Sequence, residues 1–339
     1  MGKTRLEYID TLKFLAILGI VFIHVSAIWP HAEVLHLNIR SMTQIFRWGV
    51  PVFVMISGAL LLNREIELGS FFKKRFIRVF YPLLFFTIAT VIINGTYGVL
   101  ASYLSSYWYC WMILGAYLAI PIINKFIQHS DDNEIKYYVG IFLVSALIYQ
   151  IFFTYDINFA LDINFFITPV SYLVLGYYLS KKEFDNSGRI ILIAVILFII
   201  TTVIKYHTGN FIHDYGHGVF SSRLDLGIVQ IIQASSVFII IKEIYSAKAT
   251  GLTSMVKRFL ETNIVKKFIL SVSRASYGMY LIQFWYRDYV GSLVGSLKLT
   301  GTGVFLMFVG LSIVVFLVSW ISICIFGKIP YLNKFSGYA

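Results

Sequence analysis

The stretch Val304-Phe305-Leu306-Met307-Phe308-Val309-Gly310-Leu311-Ser312-Ile313-Val314-Val315-Phe316-Leu317-Val318-Ser319-Trp320-Ile321-Ser322-Ile323-Cys324-Ile325-Phe326 contains no Asp, Glu, Lys, Arg or His. A helix of that length rises about 34 Å, enough to cross a hydrocarbon core of about 30 Å. The rest of the chain agrees with it: 58% of the 339 residues are hydrophobic and 13% are charged, against about 25% charged in an ordinary water-soluble domain. So few charges cannot clothe a surface for water, and lipid is the natural solvent for most of the chain. The apolar run is continuous rather than alternating, which speaks against a β-barrel. Disordered, collagen-like, coiled-coil and disulfide-scaffold chains need polar bias, a fixed period or many cysteines. Here Cys110 and Cys324 each sit inside an apolar run, so no cysteine-based metal site or disulfide framework is expected.

Nine further segments approach a spanning length: Leu12 to Trp29, Phe46 to Leu62, Phe76 to Asn94, Tyr107 to Ile123, Tyr137 to Tyr155, Ile163 to Leu179, Ile190 to Ile204, Leu226 to Ile241, and Phe268 to Tyr286 with Arg274 inside it. The expected fold is an all-α polytopic membrane bundle of about ten transmembrane helices. One transmembrane domain would occupy residues 1–339, with no appended soluble domain. Glu7 and Asp10 precede the first apolar run and no small-x-small cleavage site follows it, so that run reads as a retained helix rather than a signal peptide. The net charge of +11 is explained by where it falls. With Arg78 and Arg274 assigned to the inner ends of their spans and Arg47 to an outer end, 21 of the 28 Lys and Arg lie inside and six outside, leaving Lys13. By the positive-inside rule both termini face the cytoplasm, and the charge needs no nucleic acid. A multi-pass protein of the plasma membrane is expected, its longest inner loop, from Lys242 to Lys267, resting on anionic headgroups.

Ionisable groups inside a span are costly and point to function. The first helix carries Asp10 at its mouth, Lys13 just inside and His24 deep within. At 100° per residue, Lys13 and His24 differ by about 20° and Asp10 and His24 by about 40°, so the three share a face; about 16 Å of rise separates Lys13 from His24. This suits a long anionic cofactor entering from the cytoplasm with its reactive end at a mid-bilayer imidazole. The competing reading makes Lys13 a snorkelling residue and His24 an interhelical hydrogen-bonding one. Arg75 and Arg78, three apart, point to one side and form a phosphate clamp with forked donors. His213, Asp214 and His217 fall in a loop with no membrane-embedded ligand set and no residues patterned to orient them as ligands, so no metal is expected.

Several motifs carry a resemblance. Tyr8-Ile9-Asp10-Thr11-Leu12-Lys13-Phe14-Leu15-Ala16 followed by His24, then Val50-Pro51-Val52-Phe53-Val54-Met55-Ile56-Ser57-Gly58, then Arg75-x-x-Arg78 with Tyr81-Pro82, resemble in order the opening motifs of the membrane acyltransferase family 3. The Trp108 to Pro121 segment and Ser273-Arg274-Ala275-Ser276-Tyr277-Gly278-Met279-Tyr280-Leu281 resemble its later ones. Size, span count and the lack of an extra domain look most like the branch that O-acetylates bacterial surface polysaccharide or its lipid-linked precursor. Two positions depart from the family. Lys13 stands where arginine is usual, which keeps charge and loses the fork. Gln283 stands where many members have histidine, which removes a titrating group and keeps hydrogen bonding.

The resemblance implies acyl transfer from a cytoplasmic acyl-CoA, most often acetyl-CoA, to a sugar hydroxyl of a glycan or lipid-linked glycan acceptor. His24 would serve as base or transient acyl carrier, with Asp10 directing Lys13, and with Lys13, Arg75 and Arg78 on the CoA phosphates. Arg47 and Ser57 are weaker candidates for acceptor contact or local packing, and Gln283 is a weaker candidate for acceptor contact. A transporter or exporter of a polar or acylated glycan, with His24 and Lys13 lining a path, is the chief alternative. A sensor or assembly subunit is a third reading.

The charge distribution makes the topology testable. In a background lacking Cys110 and Cys324, single cysteines at the positions of Arg75 and Lys257 should label only from the cytoplasm, and cysteines at Gly98 and Asp156 only from outside. Outside labelling at the position of Lys257 in intact cells would refute the arrangement.

Overall fold

The computed structural model describes residues 6–29, 33–34, 37–95, 100–155, 166–212, 227–246, 251–294, 297 and 301–338. Apart from a two-residue antiparallel ladder, β1 (Glu33–Val34) with β2 (Leu37–Asn38), and short 3-10 turns, the secondary structure is helical. The helices are α1 (Glu7–Ser26), α2 (Ile39–Met42), α3 (Gly49–Leu61), α4 (Leu68–Asn94), α5 (Leu100–Ser106), α6 (Trp108–His129), α7 (Asp132–Thr154), α8 (Pro169–Lys181), α9 (Ser187–Ile212), α10 (Ile228–Ile244), α11 (Gly251–Glu261), α12 (Asn263–Val294) and α13 (Thr302–Phe326). Among the described residues, seven helical segments are long and apolar enough to cross a membrane: α1, Thr43–Leu61, α4, α6, Asp132–Phe152, Ser187–His207 and α13.

Three of the ten expected spans are helices that do not qualify alone, each for a physical reason. Helix α8 has 13 residues, about 20 Å of rise. Helix α10 has 17 residues and contains Gln230, Gln233 and Glu243. Helix α12 is long enough at 32 residues, but Ser271, Ser273, Arg274, Ser276 and Gln283 dilute its apolar character. These helices are covered by protein over much of their length. In α8, every residue from Ser171 to Tyr177 is buried, and in α12 every residue from Gly278 to Gln283. By contrast only 17% of the apolar window of α9 is covered. A helix that faces lipid must be apolar outward, whereas one enclosed by other helices can carry polar groups if they are satisfied.

The chain divides into two compact units, with boundaries inside α1, α6 and α12. The first comprises residues 1–12, 47–65 and 119–266. Its tightest crossing is between α3 and α8. A Cβ added at Gly58 would lie 1.9 Å from the Leu173 carbonyl oxygen, and one added at Gly176 would lie 2.1 Å from the Met55 carbonyl oxygen. The two backbones therefore touch, and only glycine at both positions permits it. Ser57, beside Gly58, donates to the Phe53 carbonyl at 3.1 Å within its own helix. The same unit holds Lys205, which falls one residue beyond the expected Ile190 to Ile204 span. Helix α9 instead continues past it to Ile212, and the side chain is buried, donating to Gln230 and, at 3.4 Å, to Gln233. Gln233 in turn donates to Thr202 at 2.9 Å and Gln230 to the Arg47 carbonyl at 3.1 Å, so α9, α10 and the start of α3 are joined by one polar network. The long inner loop contains α11, whose Leu252, Met255, Val256 and Phe259 form one exposed apolar face. Lys257 on its opposite face donates to the carbonyls of Tyr245 and Ser246 at 3.4 and 3.3 Å. That two-faced composition is the pattern of a helix lying in a membrane interface.

The second unit comprises residues 13–46, 66–118 and 267–339. Helix α4 starts eight residues before the expected apolar segment because Glu67 caps it, accepting from the Gly69 and Ser70 amides at 3.1 and 2.9 Å. Hydrogen bonds from Ser70, and then from Gly69, hold the Glu67 carboxyl below the usual carboxylate range. Pro82 lies inside α4, where the missing N–H disturbs the carbonyl ladder. The Tyr277 hydroxyl of α12 donates to the nearby Val79 carbonyl at 2.7 Å. One residue on, a Cβ at Gly278 would lie 2.1 Å from the Ser336 carbonyl oxygen, and Phe335 lies 5.9 Å from both the Tyr81 and Phe85 rings.

The α3–α8 crossing predicts opposite effects for one kind of substitution. Gly58→Ala or Gly176→Ala forces backbone apart and should cost about 3 kcal/mol or more, seen as a fall in melting temperature in detergent. Gly115→Ala, with nothing within 4 Å of the new methyl, should stabilise by roughly 0.5–1 kcal/mol. Equal melting temperatures for Gly58→Ala and Gly115→Ala would contradict the crossing.

Candidate active site

The second unit assembles polar groups and rings around His24. Helix α1 ends at Ser26, so His24 occupies its last turn rather than the mid-bilayer position expected from the sequence. The half-buried imidazole lies 4.7 Å from the Phe284 ring and 6.2 Å from the Tyr280 ring, both on α12. Tyr107 packs 5.4 Å from Phe284, and its hydroxyl donates to the Leu281 carbonyl at 3.2 Å. Tyr109 packs 5.3 Å from Tyr280. The far side of α12 is fixed by Trp285, which lies 5.3 Å from Phe86 and donates to the Thr90 hydroxyl at 2.6 Å. Aromatic edges and faces thus enclose an imidazole whose partners come from the helix least suited to lipid.

Gln283 is fully buried and donates to the Tyr280 carbonyl at 3.0 Å. It is a neighbour of His24, as is Arg287 one turn further along α12. The Arg287 guanidinium sits 4.9 Å over the Phe284 ring, on which His24 also packs, and its Nε donates to Asp288 at 2.7 Å. Three side-chain atoms here are buried yet have no hydrogen-bond partner among the described residues: His24 Nδ1, Gln283 Oε1 and the Tyr280 hydroxyl. The hydroxyl approaches the Tyr109 backbone, and Gln283 approaches His24, without the geometry of a completed bond. Most buried polar groups are satisfied, since an unmade bond costs about 1–3 kcal/mol, and a cluster of exceptions marks a place where a substrate or water completes the bonding.

Of the residues expected from sequence, His24 and Gln283 are brought together. Lys13, Arg75 and Arg78 lie in the same unit. Lys13 is half-buried two turns into α1, and the half-buried Arg75 sits 5.9 Å over the Phe71 ring. Arg78 is exposed in the third turn of α4, because that helix begins earlier than its apolar run. Asp10, Arg47 and Ser57 belong to the first unit. Asp10 is buried near the start of α1, Arg47 offers its carbonyl to Gln230, and Ser57 bonds within its own helix beside the glycine crossing. Sequence reasoning missed Tyr107, Tyr280, Phe284 and Arg287. The available signal for Arg287 was its four-residue spacing from Gln283, which puts both on one helical face. Among the described residues no group of three His, Cys, Asp or Glu could hold a metal ion; His213, Asp214 and His217 lie outside the described residues.

The Tyr280 hydroxyl gives a direct test of this bonding deficit. Tyr280→Phe removes a buried donor without a partner, so the melting temperature should hold or rise. A fall comparable to loss of a satisfied buried hydrogen bond, about 1 kcal/mol, would show that the hydroxyl is bonded in the resting protein.

The family model of the acyltransferase domain matches residues 6–324, running through both units. No curated protein and no solved structure matches the chain. A match of that extent shows the family: the chain belongs to acyltransferase family 3 and is a membrane-helical acyltransferase.

Proposed function

We propose that the chain is an O-acyltransferase of a bacterial plasma membrane. It moves an acyl group, most simply acetyl, from cytoplasmic acyl-CoA to a hydroxyl of a surface glycan or its lipid-linked precursor. The observation that carries this reading is the His24 imidazole in its aromatic enclosure, with unsatisfied polar atoms beside it. Family membership supplies the reaction class. Ten spans with both termini inside are part of the proposal, the enclosed helices α8, α10 and α12 completing the count.

The acceptor oxygen attacks the thioester carbonyl while His24 takes the hydroxyl proton; the carbon–sulfur bond breaks and the thiolate leaves with that proton as CoA thiol. In the two-step version the imidazole nitrogen attacks first and breaks the carbon–sulfur bond, expelling the CoA thiolate; it holds the acyl group and passes it to the hydroxyl, whose proton balances the one taken up by the thiolate. Either route builds negative charge on the carbonyl oxygen, and the Tyr280 hydroxyl is the nearby donor with bonding capacity to spare. Lys13, Arg75 and Arg78 bind the CoA phosphates at the inner face, and Asp10 directs Lys13 from one turn away on α1. With the amino terminus inside, His24 lies at the outer end of α1, about 16 Å of rise beyond Lys13. The acyl group would therefore be handed over far from the phosphates that anchor its carrier.

The test uses purified protein in liposomes, with CoA thiol release and acyl transfer measured together. His24→Gln keeps a polar contact but cannot take up a proton, and should abolish transfer while acyl-CoA still binds. Arg75→Ala and Arg78→Ala should each weaken acyl-CoA binding by about 1.5–3 kcal/mol, roughly ten- to a hundredfold, and Lys13→Arg should be tolerated. Near wild-type transfer by His24→Gln would remove His24 from the chemistry. Substrate counterflow without CoA, and no thiol release, would establish a transporter instead.

A further inference from the structure

Gln283 is the residue at which this chain departs from the histidine expected beside Tyr-Leu, and its surroundings assign it a task. Its Nε2 donates to the Tyr280 carbonyl at 3.0 Å. Because that carbonyl can only accept, chemistry rather than fitting decides which end of the carboxamide is nitrogen. The other end, Oε1, is then an acceptor, buried and without a partner among the described residues. The neighbouring His24 offers Nδ1, likewise buried and likewise without a partner. A neutral imidazole carries its proton on one nitrogen only. With the proton on Nε2, the acceptor Oε1 meets the lone pair of Nδ1 and both stay unsatisfied. With the proton on Nδ1, the two orphaned atoms become a matched donor and acceptor.

We infer that Gln283 is a positioning residue that holds His24 as its Nδ1–H tautomer through Oε1, so that the lone pair resides on Nε2. This is the tautomer opposite to the one that prevails in free histidine, so a partner is required to hold it. A carboxamide does so without adding a charge or a second titrating group beside the base. Phe284, packed on the ring 4.7 Å away, limits rotation of the imidazole out of that alignment. The inference rests on the reading of His24 as the reacting group, and concerns which of its nitrogens reacts.

The experiment is nitrogen-15 NMR of the full chain in lipid nanodiscs with labelled histidine, His24 being identified by the signals lost in His24→Gln. The wild type should show His24 protonated on Nδ1. Gln283→Met, close in length but lacking the acceptor, should shift His24 toward the Nε2–H form and lower kcat at least tenfold with KM for acyl-CoA unchanged. Gln283→Glu keeps an acceptor oxygen and should retain the wild-type tautomer; it also covers the case in which Gln283→Met fails to fold. An Nε2–H tautomer in the wild type, its persistence as Nδ1–H in Gln283→Met, or a switch to Nε2–H in Gln283→Glu overturns the inference. The tautomer is read without turnover. A wild type with the expected tautomer but no acyl transfer would overturn the proposed function and leave this inference standing. Transfer with the wrong tautomer would do the reverse.

Discussion

A bilayer offers no hydrogen bonds to a polar side chain, so such a group survives at membrane depth only where other helices cover it. That constraint orders the second unit. Helix α12 brings serines and a glutamine into an apolar chain, and from Ile269 to Gln283 most of its residues are buried, Ser273, Ser276 and Gln283 among them. Tyr277 supports the proline-disturbed ladder of α4, Gly278 admits the backbone at Ser336, and Trp285 ties down to Thr90. With both flanks fixed in this way, the stretch from Tyr280 to Arg287 can present a glutamine, two rings and a guanidinium to His24 without those side chains bearing the packing of the unit alone.

The same view separates chemistry from architecture among the motifs that carry the family resemblance. The second-helix motif ends in Gly58, whose value is a backbone contact with α8, and Ser57 spends its hydroxyl inside its own helix. Tyr81-Pro82 and Ser276-Tyr277-Gly278 meet through the Val79 carbonyl and the packing of Phe335. The opening motif carries His24, whose ring stands among atoms still waiting for partners. Some of these motif residues are therefore spent on helix crossings, while His24 stands beside buried polar atoms that lack partners.

The membrane class and the helical architecture were legible in the sequence because each depends on composition, and His24 drew notice by its position within one apolar helix. Hydropathy, however, measures suitability for lipid. It recognised α13 without effort; the segments it also offered at α8, α10 and α12 lie in helices that do not qualify alone and are largely covered by protein. For the same reason the ninth apolar segment seemed to end at Tyr286, leaving Arg287 as an outer-loop charge although α12 continues to Val294, and Lys205 was placed in a loop although α9 buries it. Tyr280 appeared only as one member of a motif, and Tyr107 and Phe284 gave no signal, since 17% of the chain is aromatic and a ring beside His24 has the same composition as a ring in a core. Gln283 stood out only as a departure from a motif. Its partner lies 259 positions earlier, a pairing that no helical period can reveal.

The crossing of α3 and α8 has a consequence for genetics. A substitution at an ordinary packed site is often relieved by trimming the side chain it strikes. At Gly58 and Gly176 the struck atoms are main-chain carbonyl oxygens, which every residue at positions 173 and 55 possesses. No replacement of Leu173 or Met55 can therefore make room. Second-site suppressors of a lesion at either glycine must act from a distance, by raising the stability of the whole unit, and true revertants must restore the glycine itself.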